Sequence, residues 1–481
     1  MVSQQVDEET PLLQSVPPTT KTPLPWRQFS VLLFLQLAEP LASQVISPLI
    51  PQMIRHTGIT GSDDSKVGYC AGLAYSVFFA TQALTILHWS RASDHIGRKP
   101  ILLIGLFGLS ASMFLLGLSK TFWGLIVNRA LHGALSGNTC VLKSILAEIT
   151  DATNFAQAYA YSSIPWMAGG TIGPLIGGRL AQPADRFPNI FGRSEFMKSY
   201  PYFLPCAVPA TFSAMVWLVM FLFFKETVSN RQTFCQLFKE FRRSDTRQRS
   251  TDSVDNEHSS TQGKDDASNP LPVRSILVPS VIVAVASYAT LALMDISIRS
   301  TQLLFLATPV DMGGLGLDPP RIGNILSAFG IATGMFQIFF FPPLHARLGK
   351  KVIYVSSVAS GIPIIIAFPV INALARTRGL TMTVWLLVAS QLALGVNMNL
   401  AFACVFMFIA AAAPNRRSLG ATNGFSQMIV SIVRTFGPAL AGAMFSFSIQ
   451  HPRFAWLNYY YLSFTAFFAL GASVLLPRQG L

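Results

Sequence analysis

Charge is the scarcest commodity in this chain. Only 12% of its 481 residues are Asp, Glu, Lys or Arg, about half the share that soluble domains carry. A surface so poor in charge cannot face water all round, which excludes a large soluble enzyme and points to a chain embedded in a bilayer. Paired cysteines are missing too. The five cysteines, Cys70, Cys140, Cys206, Cys235 and Cys404, show no CxxC spacing, and four fall in apolar stretches. A disulfide framework or zinc site is therefore not expected. No GxxxxGK[ST] loop and no HExxH pair occurs, so neither ATP-driven transport nor zinc hydrolysis finds support. Residues 1–25 are polar and rich in Pro and Thr, without the pattern of a cleavable signal peptide. The first apolar run is expected to serve as its own insertion signal.

What the chain does have is long apolar runs. A membrane span needs about 20 mostly apolar residues. Six such runs lie at roughly 28–50, 66–88, 100–118, 121–143, 156–180 and 202–224, and six more at 276–308, 321–342, 350–371, 381–407, 418–447 and 454–476. Between the two sets is a polar stretch whose middle is nearly devoid of apolar residues. The expected organisation is a disordered cytoplasmic tail (1–25), a six-helix bundle (26–224), a largely disordered cytoplasmic linker (225–274), a second six-helix bundle (275–476) and a short cytoplasmic tail (477–481). The fold class is all-α: twelve transmembrane helices in two pseudo-symmetric bundles.

Basic residues sit mainly in short loops. The net charge of +13 is thus better explained by retention of Lys and Arg on the inner side of a membrane than by nucleic acid, and no nucleic-acid partner is expected. The loop between the second and third runs carries Asp94, Gly97, Arg98 and Lys99. Its counterpart in the second half carries Arg347, Gly349, Lys350 and Lys351, with no acid between Phe341 and Lys351. Matched loops in two six-span halves mark a transporter architecture built from repeats. An even number of spans places both termini, the linker and these loops on one side. In the tail, Glu8-Glu9-Thr10-Pro11-Leu12-Leu13 has the form of an acidic dileucine sorting signal, here Glu8, Leu12 and Leu13, of the kind that adaptor proteins read.

Three stretches resemble the major facilitator superfamily, and the likeness runs from Trp26 to about Leu476. The first is the Asp94–Lys99 loop, with Ser90 and Ser93 where the family prefers Gly and Ala. The second is Arg129-Ala130-Leu131-His132-Gly133 in the fourth span, with His132 in place of the usual Gln. The third is Gly169-Gly170-Thr171-Ile172-Gly173-Pro174-Leu175-Ile176-Gly177-Gly178 in the fifth span. That last stretch resembles proton-coupled antiporters of the twelve-span drug-efflux group, with fungal efflux pumps and zinc-induced-facilitator relatives as the nearest subgroup. The resemblance implies alternating access around a cavity lined by spans 1, 4, 7 and 10.

Ionisable residues inside spans are costly and mark candidate sites. Glu39, Arg129, His132 and Asp295, with Asn397 and Asn399, are expected to share the cavity. Glu39 is the first choice for proton carrier, then Asp295 and His132, although Asp295 can equally be a structural i,i+4 partner of Arg299. Asp94, Gly97, Arg98 and Lys99, with Arg347, Gly349 and Lys350, are expected to latch the inner gate. Gly169, Gly173, Pro174, Gly177 and Gly178 should let helices approach closely and bend. The implied partners are a small-molecule substrate, protons, the lipid bilayer and an adaptor at the dileucine signal. No cofactor is implied, and a monomer is expected. The function this points to is secondary active transport, by proton antiport, of a small organic molecule or metal chelate. A uniporter or symporter, or a transporter-like sensor, is the alternative. The vacuolar or endolysosomal membrane is favoured over the plasma membrane. A fluorescent fusion carrying Leu12→Ala and Leu13→Ala should move from an internal membrane to the cell surface, and unchanged localisation would remove the sorting reading.

Overall fold

The computed structural model describes residues 22–61, 63–150, 154, 158, 161–162, 164–226, 278–412 and 419–477. The dileucine stretch, most of the N-terminal tail, residues 227–277, which take in most of the linker, and the C-terminal tail from 478 lie outside them. The described residues form helices and no strand. The first half comprises α1 (Trp26–Ile46), α2 (Ile50–His56), α3 (Val67–Ile96), α4 (Arg98–Gly117), α5 (Phe122–Leu135), α6 (Asn138–Ile149), α7 (Ile164–Leu180) and α8 (Phe203–Phe223). The second comprises α9 (Pro279–Ala307), α10 (Pro319–Phe339), α11 (Phe341–Ala359), α12 (Gly361–Arg378), α13 (Met382–Ala412), α14 (Leu419–Gln450) and α15 (Leu457–Val474). Nine helical stretches among the described residues are long and apolar enough to cross a membrane. The helices expose Trp26, Trp123 and Trp456 near their ends, as residues seated at a bilayer–water boundary do.

The expectation of one continuous helix over 121–143 needs correction. The fourth crossing is broken at Ser136-Gly137 into α5 and α6. Ser136 leaves helical geometry at ψ 52. Backbone freed inside a membrane must find partners within the protein. Trp89 supplies one, its Nε1 donating to the Ala134 carbonyl at 2.7 Å. Its indole also lies where a side chain at Gly137 would be, 2.4 Å from an added Cβ. The loop before the ninth crossing turns on a glycine: Gly349 (φ 71) separates the helical turn that begins at Phe341 from the span that continues through α12.

Two seams join the halves, α3 against α14 and α7 against α10, and both are lined by glycine. An added Cβ on Gly178 would sit 3.1 Å from Gly323 Cα, and one on Gly442 would sit 3.2 Å from Gly72 Cα. Lipid tails are as apolar as the helices, so such crossings rest on van der Waals contact at short range and not on hydrophobic exclusion. Pro174 deprives the Gly170 carbonyl of its helical donor, and Gly330 of α10 packs onto that carbonyl. Within the first half, Gly169, Gly173 and Gly177 turn the other face of α7 onto α1 at Pro40, Gln44 and Val45.

The seams continue at the face opposite the termini. Arg55 of α2 pairs with Asp64 at 2.8 Å and donates through Nη2 to the Ala307 carbonyl of the second half at 3.0 Å. Gln450 donates to Ser65 Oγ at 3.0 Å. Ser65 in turn donates from its hydroxyl and its amide to Asp63, which holds the Asp63 carboxyl below the usual carboxylate range. A vestibule of about 300 Å³ remains on this face, beside Gln52, Arg55, Asp64 and Asp318.

Gly177→Val should be poorly tolerated, because its Cβ would meet the Val45 carbonyl at 2.1 Å; overpacking costs about 1–3 kcal/mol when neighbours can yield, and backbone yields little. Gly170→Ala meets nothing within 4 Å and should be neutral or stabilising by up to about 1 kcal/mol. Thermal unfolding of the two purified variants checks the contrast.

Candidate functional site

Glu39 lies on α1 one residue before Pro40, where the helix packs onto the glycine face of α7. Its carboxylate reaches the break in the fourth crossing. Ser136 Oγ donates to Oε1 at 2.6 Å and Thr139 Oγ1 donates to Oε2 at 2.8 Å. Charge-assisted hydroxyl bonds of this length are among the stronger polar contacts in proteins. Ser136 is shared: Gln82 Nε2 of α3 donates to its hydroxyl at 3.2 Å. Ser431 of α14 donates to Gln82 Oε1 at 3.5 Å. A polar chain thus runs from Glu39 through the broken helix to the second half. Ser136, Thr139 and Gln82 were not singled out from the sequence. The signal available for them was the polar run Ser136-Gly137-Asn138-Thr139 inside an otherwise apolar crossing.

The other expected cavity residues do not gather on Glu39. Arg129 is 4% exposed and His132 is 3% exposed, and both turn to α3. Arg129 Nε points at the Ala74 carbonyl at 3.4 Å, and its guanidinium lies 4.7 Å from the Phe78 ring centre. His132 meets the same ring edge-on at 4.9 Å, and its Nε2 has no hydrogen-bond partner. A cation over an aromatic face gains about 0.5–2 kcal/mol, well below the several kcal/mol that desolvating a charge costs. In the second half, Asp295 accepts from Arg299 Nε at 2.8 Å and Asn399 Oδ1 accepts from Arg299 Nη2 at 2.7 Å. Asp295 is thus committed to Arg299. Asn397 is separate, directed at the Ser356 carbonyl of α11. Two residues on along a helix turn the side chain by about 200°, so Asn397 and Asn399 cannot share a face.

The matched loops form two similar corners. Gly97 (φ 115) and Gly349 (φ 71) take up backbone angles that suit glycine. Lys99 Nζ then donates to the carbonyls of Phe221 and Phe224 at the end of α8. Lys351 Nζ donates to those of Val474 and Leu476 at the end of α15. Each lysine caps the last carbonyls of its bundle's final helix, where a cation is favoured. In the first half, Glu226 caps the other partner, accepting from the Arg98 and Lys99 amides at 2.8 and 3.1 Å at the start of α4. Arg98 pairs with Glu148 at 2.8 Å and donates to Ser93 Oγ at 2.6 Å. The expected partner, Asp94, has a side chain outside the described set. Lys350 sits 4.8 Å over the Phe408 ring, and Arg347 is exposed. Lys351, and not Lys350, is therefore the counterpart of Lys99. Among the described residues no group of three or more His, Cys, Asp or Glu is placed to hold a metal ion. Cys70, Cys206 and Cys404 are free.

Comparison with known proteins follows the same lines. Residues 32–296 match the family model of the Major Facilitator Superfamily. The chain is 30% identical to the major facilitator-type transporter psiT2 of Psilocybe cubensis over 460 residues, covering 90% of this chain and 86% of that one. It is 29% identical to the protein zinc induced facilitator 1 of Arabidopsis thaliana over 439 residues, covering 90% and 87%. The crystal structure of the human organic anion transporter MFSD10 superposes with a TM-score of 0.61 at 16% identity, over 94% of this chain and 100% of that chain, which establishes likeness of fold.

Removing Arg98 or Glu148 should destabilise the first half in a coupled way. In a cycle of Arg98→Gln, Glu148→Gln and the double variant, thermal unfolding should return an interaction of about 0.5–3 kcal/mol; additive losses would mean that the pair does not act as a unit.

Proposed function

The chain belongs to the Major Facilitator Superfamily, and from that premise we propose that it is a proton-coupled antiporter. It would export or sequester a small organic molecule or metal chelate, exchanging it for protons by alternating access of its two halves. One observation carries the reading: the Glu39 carboxylate sits among hydroxyls at a helix break inside the membrane, bonded to Ser136 and Thr139. An acid in that setting is held between two demands. Removal from water favours the neutral form, and hydroxyl donors favour the anion, so it can load and release a proton as its surroundings change. Uptake of a proton makes one Glu39 oxygen a donor and a weaker acceptor, which favours a turn of Ser136 or Thr139. Because Ser136 is shared with Gln82, and Gln82 with Ser431, the rearrangement reaches the contact between halves.

The seams at the face opposite the termini are closed in this conformation, which supports loading from the termini side. The retention of Lys and Arg in the loops of that side supports a cytoplasmic assignment for both termini. On this reading the chain works as a single polypeptide in an internal or plasma membrane. Its matched lysine corners hold the last helix of each bundle as the bundles rock.

Purified protein in liposomes tests the coupling. Substrate flux should follow an imposed pH gradient in the wild type. Glu39→Gln should lose gradient-driven accumulation by at least tenfold while keeping counterflow of labelled against unlabelled substrate. Flux indifferent to the gradient in both proteins would defeat proton antiport and leave a uniporter.

A further inference from the structure

The charges inside the membrane do not balance. Asp295 is taken by Arg299, and Glu39 is bonded to hydroxyls and not to a cation. Two further arginines stand in the crossings, Arg129 on α5 and Arg434 on α14, and neither forms an ion pair among the described residues. They belong to different halves, yet they meet the same element. Arg129 lies over Phe78 of α3, and Arg434 lies 5.9 Å from the ring centre of the adjacent Phe79. The two rings are 5.1 Å apart, edge to face. Arg434 Nε is buried without a hydrogen-bond partner, and so is His132 Nε2 beside Phe78. The two guanidiniums, one from each half, therefore flank a pair of aromatic rings with donor capacity unused.

Arg129 is buried and Arg434 half-buried; a guanidinium withdrawn from water calls for a counter-charge, and its fork of donors fits the oxygens of a carboxylate, sulfonate or phosphate. We infer that Arg129 and Arg434, with Phe78 and Phe79, form a subsite for the anionic group of the transported molecule, and that the substrate is an organic anion with a flat apolar body. This deepens the transporter reading above and rests on it. Phe79, the less buried of the two rings, receives the apolar body, and the arginines take the charge. Because Arg129 comes from the first half and Arg434 from the second, the ligand itself bridges the halves, and its arrival or departure changes the balance between their two arrangements. The subsite lies between helices at span depth, so the occupant is a soluble solute and not a lipid headgroup from the surrounding bilayer.

The test is equilibrium binding to the purified full-length protein in neutral detergent, where no pH gradient enters and failure of proton coupling would not affect the result. The probes are naphthalene-2-carboxylate, naphthalene-2-sulfonate and naphthylphosphonate, with naphthalene-2-carboxamide as the uncharged match. At least one anion should raise the unfolding temperature and bind tenfold or more tighter than the amide. Arg434→Gln should abolish that preference, whereas Lys198→Gln, an equal loss of charge at an exposed site, should keep it. Should Arg434→Gln not fold, Arg434→Lys decides. It retains the charge without the fork, and it should weaken the anion at least threefold while leaving the amide unchanged. Short-chain phosphatidylglycerol should not compete. Equal binding of amide and anions, an anion preference that survives at Arg434→Gln, anion binding weakened less than threefold at Arg434→Lys, or displacement by the lipid would each overturn the assignment.

Discussion

A carboxylate in the middle of a membrane has no water to share its charge, so the protein around it must do so. Here the fourth crossing is interrupted to bring two hydroxyls to Glu39. The interruption has its own cost, because a broken helix exposes carbonyls and amides that lipid cannot satisfy. Trp89 answers part of that cost by bonding the Ala134 carbonyl and covering Gly137. The α7 glycines seat α1 closely at Pro40, Gln44 and Val45, and the acid of α1 reaches the break. Much of the first half is arranged by this single requirement. Arg129 and His132, which share the crossing, are left to face α3.

The two halves agree more closely in their corners than in their centres. Lys99 and Lys351 perform the same capping task on the last helices of their bundles, each after a glycine with positive φ. The centres differ. One holds a carboxylate among hydroxyls, and the other a carboxylate bound to an arginine and an asparagine. Corners tie the last helix of each bundle to the loop between its second and third spans. Centres carry chemistry, and the chemistry need not be duplicated. The proposed functional asymmetry has this physical root: Glu39 can exchange a proton, whereas Asp295 would have to abandon Arg299 to do so.

Between the halves, contact depends on glycine. Gly72 against Gly442 and Gly178 against Gly323 let backbones meet with no side chain between them. Such seams are extensive, yet they rest on close van der Waals contact with few directional bonds. The polar contacts that cross include Arg55 to the Ala307 carbonyl, Gln450 to Ser65, the Ala439 amide to Ser76, Ser431 to Gln82 and Arg179 to Asn324. A surface of that kind suits two bodies that alternate between contact and separation.

By itself the sequence determined the solvent, the all-α class, the repeated arrangement of spans and the family. Each of these is written in local composition: twenty apolar residues in a row, a basic turn, a glycine every fourth position. It also placed Glu39, Asp295 and Arg299 inside spans, and the i,i+4 spacing of the last two is the bond observed. Only the tertiary structure decided which polar groups meet. Periodicity gives the face of a helix but not the neighbour that the face receives, because crossing angle and axial shift are set by packing over the whole bundle. So Arg129 and His132, predicted beside Glu39, lie against Phe78; Asn397 parts from Asn399; and Arg98 takes Glu148, fifty positions along the chain. The break at Ser136-Gly137 was hidden for the same reason. Its partners, Trp89 and Glu39, are distant in sequence, and without them an apolar run over 121–143 reads as one unbroken helix.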